Sequence, residues 1–235
     1  MTVLYQFIDG PDTCQYLPEQ EATLEHLLVA NLTPEDYEAR MNAGWRKFGA
    51  ILFRPICVAC AECRPIRVLV DRFTPDRSQR RALQRNADLE VRLAPPVVDA
   101  ERIALWERYH AAQEIHRGWP SHSTTAEDYA FNFVENPHPT VEIAVYEAGA
   151  LRAVVLTDIT PNVLSAVYHY HDPDCRDRSL GTFAILQTIA LAQQLGKAYA
   201  YLGYYVAGCG SMAYKSRYRP CEILETGGTW RTLQP

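Results

Sequence analysis

The segment from Val141 to Leu202 constrains the fold more than any other part of the chain. Three apolar runs, Val141–Tyr146, Leu151–Thr157 and Leu164–Tyr170, follow one another closely. Glu147-Ala148-Gly149-Ala150 and Thr160-Pro161-Asn162 separate them with turn-forming residues, so the segment predicts an antiparallel meander. Leu180–Leu195 then reads as a strongly apolar helix that stops at Gly196, and Ala198–Leu202 returns at once as a strand. A helix that is apolar on most faces must be buried, so it has to lie on the sheet the meander begins.

A meander, a buried helix and a parallel-type return strand are the element order of GNAT acyltransferases. Upstream, Leu24–Ala30 reads as a strand, and Thr33 caps a short helix with Pro34 at its first position and Gly44 beyond its end. Ala50–Pro55 and Ile66–Val70 predict strands on either side of a cysteine cluster. Thr74-Pro75-Asp76 opens an arginine-rich helix running to Asn86, and Leu89–Leu93 alternates like a strand. Pro95-Pro96 is the expected linker, dividing the chain into residues 1–96 and 97–235. Helices over Asp99–His116 and Ala126–Glu135 follow, the second closed by Asn136-Pro137-His138-Pro139. The expected fold is α+β, a GNAT-like acyltransferase domain with a smaller Cys-containing N-terminal α+β region packed against it.

The 235 residues carry a net charge of −5, but the charge is unevenly placed. Met1–Arg40 holds eight acids against Arg40 alone, whereas Arg64–Arg92 holds eight arginines against Asp71, Asp76, Asp88 and Glu90. A local basic patch of this kind can hold phosphates on an acidic protein, because screening limits the reach of distant charges. No apolar run approaches the ~20 residues that span a bilayer, and no basic-then-apolar leader opens the chain. A cytoplasmic protein that does not engage membranes is expected. Seven cysteines, three of them clustered, point to reduced thiols or a metal site rather than a disulfide framework.

The loop before the buried helix reads Arg178-Ser179-Leu180-Gly181-Thr182-Phe183. GNAT enzymes that use coenzyme A carry R/Q-x-x-G-x-G/A here, with backbone amides and the helix N-terminus holding the pyrophosphate. Phe183 replaces the last small residue, and a ring at that place is expected to obstruct the close approach of phosphate. An acyl donor other than acyl-coenzyme A follows.

Several motifs then carry a resemblance. Tyr168-His169-Tyr170-His171-Asp172-Pro173-Asp174, Tyr201-Leu202-Gly203-Tyr204-Tyr205, Met212-Ala213-Tyr214-Lys215 and Tyr218-Arg219-Pro220 resemble the C-terminal motifs of the arginyl-tRNA–protein transferase family. Cys14-Gln15-Tyr16-Leu17-Pro18, Cys57-x-x-Cys60-x-x-Cys63, Arg67-Val68 and Gln79-Arg80-Arg81 are similar to its N-terminal ones. The chain length and triple-cysteine pattern resemble the bacterial aspartate/glutamate leucyltransferase branch. That resemblance implies transfer of leucine from leucyl-tRNA to proteins with N-terminal Asp or Glu, creating a degradation signal; the eukaryotic branch transfers arginine instead. Ile115-His116 stands where the family usually has Arg-His, and Ser211 where it has Lys.

Such a reaction needs a proton removed from an α-amine of pKa about 8, charge stabilisation for a tetrahedral intermediate, and a proton for the leaving ribose hydroxyl. The ester is already activated, so no covalent enzyme intermediate and no cofactor are required. Asp172 and Asp174 are candidates for orienting or deprotonating the amine, against a plain Asp-Pro turn. Lys215 is a candidate for contacting phosphate or the intermediate's oxygen. Tyr168, Tyr170, Tyr204 and Tyr205 are candidates for lining the cleft, since aromatic faces stack bases, although strand tyrosines more often serve packing. Arg178 and Gly181 mark the donor loop or merely a helix start. Arg67, Arg80 and Arg81 match family positions. A carboxylate suits bidentate arginine, and Arg80 and Arg81 serve either the acidic substrate or tRNA phosphates. Cys57, Cys60 and Cys63, with Cys14 as a distant fourth, suit zinc or an iron–sulfur cluster, against buried reduced thiols. His110, His116 and His122 form no ligand-spaced motif. The competing functions are a coenzyme A-dependent N-acetyltransferase and a non-catalytic adaptor for acidic N-termini.

Overall fold

The computed structural model describes residues 1–121 and 123–234, so His122 lies outside the described residues. The N-terminal segment forms β1 (Thr2–Thr13), β2 (Glu21–Ala30), α1 (Pro34–Asn42), β3 (Arg46–Phe48) and β4 (Ile51–Pro55). These strands make a four-stranded sheet in the order β1-β2-β4-β3. Thr33 caps α1 as expected, its hydroxyl accepting from the Asp36 amide at 3.1 Å. β1 has no counterpart in the sequence expectation. All twelve of its residues are exposed, so it shows no alternation of buried and exposed positions.

β5 (Arg64–Leu69), α2 (Arg77–Arg85), β6 (Glu90–Ala94) and α3 (Ala100–Arg117) follow. α2 opens on a full capping box, in which Asp76 accepts from the Gln79 amide and Gln79 accepts from the Asp76 amide. α4 (Ala126–Tyr129) continues into a wider π turn over Ala130–Val134, where one α-helix was expected. The wider turn brings the Asn132 carbonyl to the Gly49 amide at 2.9 Å. A Cβ on Gly49 would lie 2.1 Å from the Phe131 carbonyl oxygen, so only glycine admits this contact.

The rest of the chain supplies β7 (Thr140–Glu147), β8 (Ala150–Ile159), β9 (Val163–His171), α5 (Leu180–Gln194), β10 (Tyr199–Tyr205), α6 (Gly210–Ala213), β11 (Cys221–Leu224) and β12 (Trp230–Thr232). An eight-stranded sheet runs β12-β11-β5-β10-β9-β8-β7-β6. Its β9–β10 pair is parallel, while the other pairs are antiparallel. This is the α+β arrangement the meander predicted, with α5 buried against it. Phe73 and Ala82 join α5 in one core over β5, β9 and β10. α3 covers β8 and β9 through Leu105, Trp106 and Tyr109. Strands from both sides of Pro95-Pro96 share this sheet, since β5 and β6 precede that dipeptide.

Buried charge ties the two sheets together. Lys47 on β3 pairs with Asp158 on β8 at 3.1 Å, and both side chains are essentially inaccessible. Asn136 accepts a second bond from the Lys47 ammonium at 2.9 Å, and Thr140 donates to Asp158 at 2.8 Å.

Candidate active site

β9 and β10 pair over three residues only, Val163–Ser165 against Tyr199–Tyr201. Beyond them both strands carry an irregularity. The β8 partners step from Ala166 to Tyr168, and the β5 partners from Tyr201 to Tyr204. An extra residue bends a strand and increases its twist. The strands therefore part, leaving a gap edged by Ala166–His171 and Leu202–Tyr205, where backbone polar groups lack a neighbouring strand. Gly203, at φ +87°, occupies the left-handed conformation that the β10 irregularity requires.

Two cations lie against Gly203. A Cβ built there would be 3.4 Å from Lys215 Nζ and 3.9 Å from Arg46 Nη2. Lys215 stands in the 3₁₀ turn Tyr214–Arg217 and is 7 % exposed. Its ammonium donates to the Tyr204 carbonyl at 2.6 Å and meets Met212 Sδ at 3.4 Å. Burial first, and then the Arg46 guanidinium, push its pKa down to about 7, partly offset by the nearby Cys209 and Cys63. Arg46 is 5 % exposed; Nη2 donates to the Ala166 carbonyl at 2.8 Å, while Nη1 has no partner. Nothing in the sequence singled out Arg46. It belongs to a three-residue strand and meets β9 only through the tertiary fold.

Past its irregularity β9 turns Tyr168 and Tyr170 toward α3, where both pack in the Trp106 cluster. His169 and His171 lie on the other face with rings 6.3 Å apart and nearly parallel. Burial holds both imidazoles neutral at pH 7, His169 pushed down to about 3 and His171 to about 4. The signal for them was present in the Tyr168–Asp174 motif, where their alternation with tyrosine places them on one face.

The structure separates the other sequence candidates. Asp172 is 1 % exposed and receives Arg152 at 2.7 Å, Arg108 at 2.9 Å and the Asp174 amide at 3.1 Å. Burial raises its pKa, but those donors outweigh it and the net shift is downward. A carboxylate so engaged orders two arginines and is a poor proton acceptor. Asp172→Asn is expected to destabilise the fold by about 1–3 kcal/mol and to lower Tm, with a smaller effect on turnover at 25 °C; thermal melts beside initial rates check this. Asp174 is exposed. Tyr168 shares a hydrogen bond with His110 at 3.1 Å, and Tyr205 lies 5.6 Å under the Arg64 guanidinium. Tyr204 is buried, its hydroxyl donating to the Gly44 carbonyl at 2.8 Å, so its ring has no face open to a base.

Arg67 is engaged throughout. It pairs with Glu222 at 2.8 Å and lies between the rings of Tyr199 and Trp230, 3.7 and 3.9 Å from their centroids. Its charge is matched inside the fold. Arg178 grips Asp88 with both amino groups at 2.9 and 3.0 Å and pairs with Glu147 at 2.5 Å. Arg80 and Arg81 are exposed on α2. Gly181 packs beneath His171, whose Cε1 would lie 3.2 Å from a Cβ there.

The reason the sequence offered against coenzyme A needs correction. Phe183 is 3 % exposed and points into the core against Leu89, Val145, Ala153 and Leu180, so its ring obstructs nothing at the helix start. Instead the Ser179 carbonyl accepts from the amides of Thr182 and Phe183 at 3.0 and 3.1 Å. Those two amides are satisfied within the first turn of α5.

Cys14, Cys57, Cys60 and Cys63 all line one cavity of about 460 Å³, together with Tyr16, Arg54, Arg64 and Val206. Burial, and then the neighbouring thiols Cys14, Cys57 and Cys60, raise the Cys63 pKa to about 12. The donor chemistry suits a thiophilic metal. Among the described residues no three His, Cys, Asp or Glu side chains converge as metal ligands. No helix of the described residues is long and apolar enough to cross a membrane.

Comparison with known proteins bears on this site. The family model described as arginine-tRNA-protein transferase, C terminus, matches residues 101–225, and that for the N terminus matches residues 12–81. An aspartate/glutamate leucyltransferase of Pseudomonas savastanoi pv. phaseolicola is 39 % identical over 227 residues, covering 95 % of this chain and 94 % of its own. One of Campylobacter jejuni subsp. jejuni is 34 % identical over 215 residues, covering 91 % and 90 %. The crystal structure of FemX aligns over 85 % of this chain and 79 % of its own, with a TM-score of 0.47 and 8 % identity.

Proposed function

The chain belongs to the arginine-tRNA-protein transferase family, and from that premise we propose that it moves leucine from leucyl-tRNA to the α-amine of proteins beginning with Asp or Glu, marking them for degradation in the cytoplasm. The observation that carries this reading is the 39 % identity to a leucyltransferase over 95 % of the chain. The parted strands β9 and β10 supply a place for the reaction, and Lys215 a group suited to move its proton.

In this reading the leucyl ester lies in the gap, with the β9 backbone beyond the β9–β10 pairing beside its carbonyl. The amine attacks that carbonyl, forming the C–N bond, and its proton passes to the neutral Lys215 amine. Backbone N–H groups at the gap receive the developing oxyanion. Collapse breaks the ester C–O bond, and the Lys215 ammonium returns its proton to the departing ribose oxygen. Arg46, whose Nη2 lies beside Lys215 at Gly203 and whose Nη1 has no hydrogen-bond partner, is the cation placed to receive the acidic side chain of the incoming residue. It takes the role for which Arg67 is already engaged.

Incubation with labelled leucyl-tRNA or arginyl-tRNA and peptides starting in Asp, Glu or Ala tests the reading. Label is expected on the Asp and Glu peptides from leucyl-tRNA only. Transfer from arginyl-tRNA would assign the other donor, and peptide binding without transfer from either would assign an adaptor.

A further inference from the structure

The exposed face of α2 carries arginines in a pattern that a merely solvated helix avoids. Arg77, Arg81 and Arg85 succeed one another at i, i+4 and i+8, with Arg80 beside them, and no acid is interleaved within the helix. Like charges at that spacing repel, each pair destabilising a helix by about 0.2–0.5 kcal/mol. Acids are not scarce, for the chain holds 28 of them against 23 lysines and arginines. All four side chains are exposed; Arg80 donates to the Pro75 carbonyl, Arg85 to the Asp177 carbonyl and the Ser179 hydroxyl, and among the described residues no carboxylate forms an ion pair with the stripe.

Its place in the fold matters as much as its charge. Gln79, on the buried side of α2, donates to the Arg217 carbonyl at 3.1 Å, in the turn that holds Lys215. Asn86, at the helix end, donates to the Arg178 carbonyl at 2.7 Å, in the loop before α5. α2 is thus clamped between the two segments that follow the parted ends of β10 and β9. The stripe runs outward from the edge of the reaction gap, with exposed Arg217 beside it. From Arg77 to Arg85 it extends about 12 Å. That is too long for the single carboxylate of an acidic N-terminal residue, which must sit within a few bonds of the attacking amine. It suits several phosphates in succession.

We infer that the Arg77–Arg81–Arg85 stripe, with Arg217, holds the sugar–phosphate backbone of the tRNA acceptor stem and directs its 3′ end into the gap between β9 and β10. This rests on the transferase reading above. The contact is with phosphate and positions the donor without reading base sequence.

Arg77→Glu/Arg81→Glu tests it, with Arg231→Glu, an exposed arginine on β12, as the control for general charge. Filter binding of tRNA and the KM for leucyl-tRNA are measured between 50 and 200 mM KCl, beside the KM for an Asp-initiated peptide. The double variant is expected to bind tRNA about tenfold or more weakly at low salt, and to lose about two from the slope of log affinity against log salt. The peptide KM and the control should hold. An unchanged tRNA affinity and slope would overturn the inference, as would a rise in the peptide KM alone, which would assign the stripe to the acidic substrate. If the wild type transfers no leucine, the transferase reading fails first, and tRNA binding by the two variants still decides the stripe.

Discussion

Lys215→Met is expected to lower the rate of leucine transfer by about 10²–10⁴-fold, the range a positioned general base contributes, with a much smaller change in the KM for leucyl-tRNA. Methionine keeps the length and apolar stem of the side chain while removing the amine, so the turn over Tyr214–Arg217 should survive. Lys215→Arg is the sharper variant. It keeps the charge beside Arg46 but cannot give up its proton near neutrality, so a base is lost while an electrostatic contact remains. Full activity in Lys215→Arg would assign the residue to charge stabilisation instead.

The pH dependence separates these roles further. With its pKa near 7, Lys215 is protonated and inactive as a base at low pH, and the wild-type rate should climb through about pH 7, levelling only once the substrate α-amine, of pKa about 8, is also neutral. For stability the sign follows from the same depressed value. Between about pH 7 and 10.5 the unfolded chain keeps a proton on Lys215 that the folded chain has released, so stability rises with pH across that window. Below pH 7 both states are protonated and the burial cost is fully present. Lys215→Met removes the group, so urea midpoints of the variant should lack this rise.

The second large effect concerns folding. Lys47→Met is expected to destabilise the protein by about 3–5 kcal/mol, because it leaves the inaccessible Asp158 carboxylate without its counter-charge. Thr140 would remain as a donor, but a hydroxyl does not neutralise a charge. Lys47→Met/Asp158→Leu should recover much of the loss, since replacing both partners removes the buried ions altogether. Urea unfolding of the two variants checks this, and a double variant no more stable than the single one would refute the account.

Sequence and structure divide the work along a physical line. Local order was legible where a periodic pattern met a cap or breaker. Thr33 and Pro34 opened α1, Asp76 opened α2, and three apolar runs with turn residues between them marked β7, β8 and β9. β1 was not legible because both of its faces are exposed, so no period of two is written into it. β11 and β12 were missed for a simpler reason: at four and three residues they are too short to show a period. The motif from Tyr168 to Asp174 covers the end of β9 that edges the gap, and Lys215 was singled out as a candidate from its basic neighbourhood beyond the glycines.

The residues' partners were another matter. A sequence shows that Arg67, Arg178 and Asp172 are charged, but whether a charge is free depends on what folding brings beside it. Glu222 lies 155 positions from Arg67, and Arg108 lies 64 positions from Asp172. Arg46, 120 positions from the carbonyl it meets, is conspicuous only once both are in place. The sequence by itself therefore determined the motifs that carry the family resemblance and the order of the longer strands and helices, because those are written in residue identity, side-chain period and local caps. Only the tertiary structure decided which cations are already neutralised, which way Phe183 points and how far Lys215 is shifted, because pairing and desolvation are set by distant segments meeting in space.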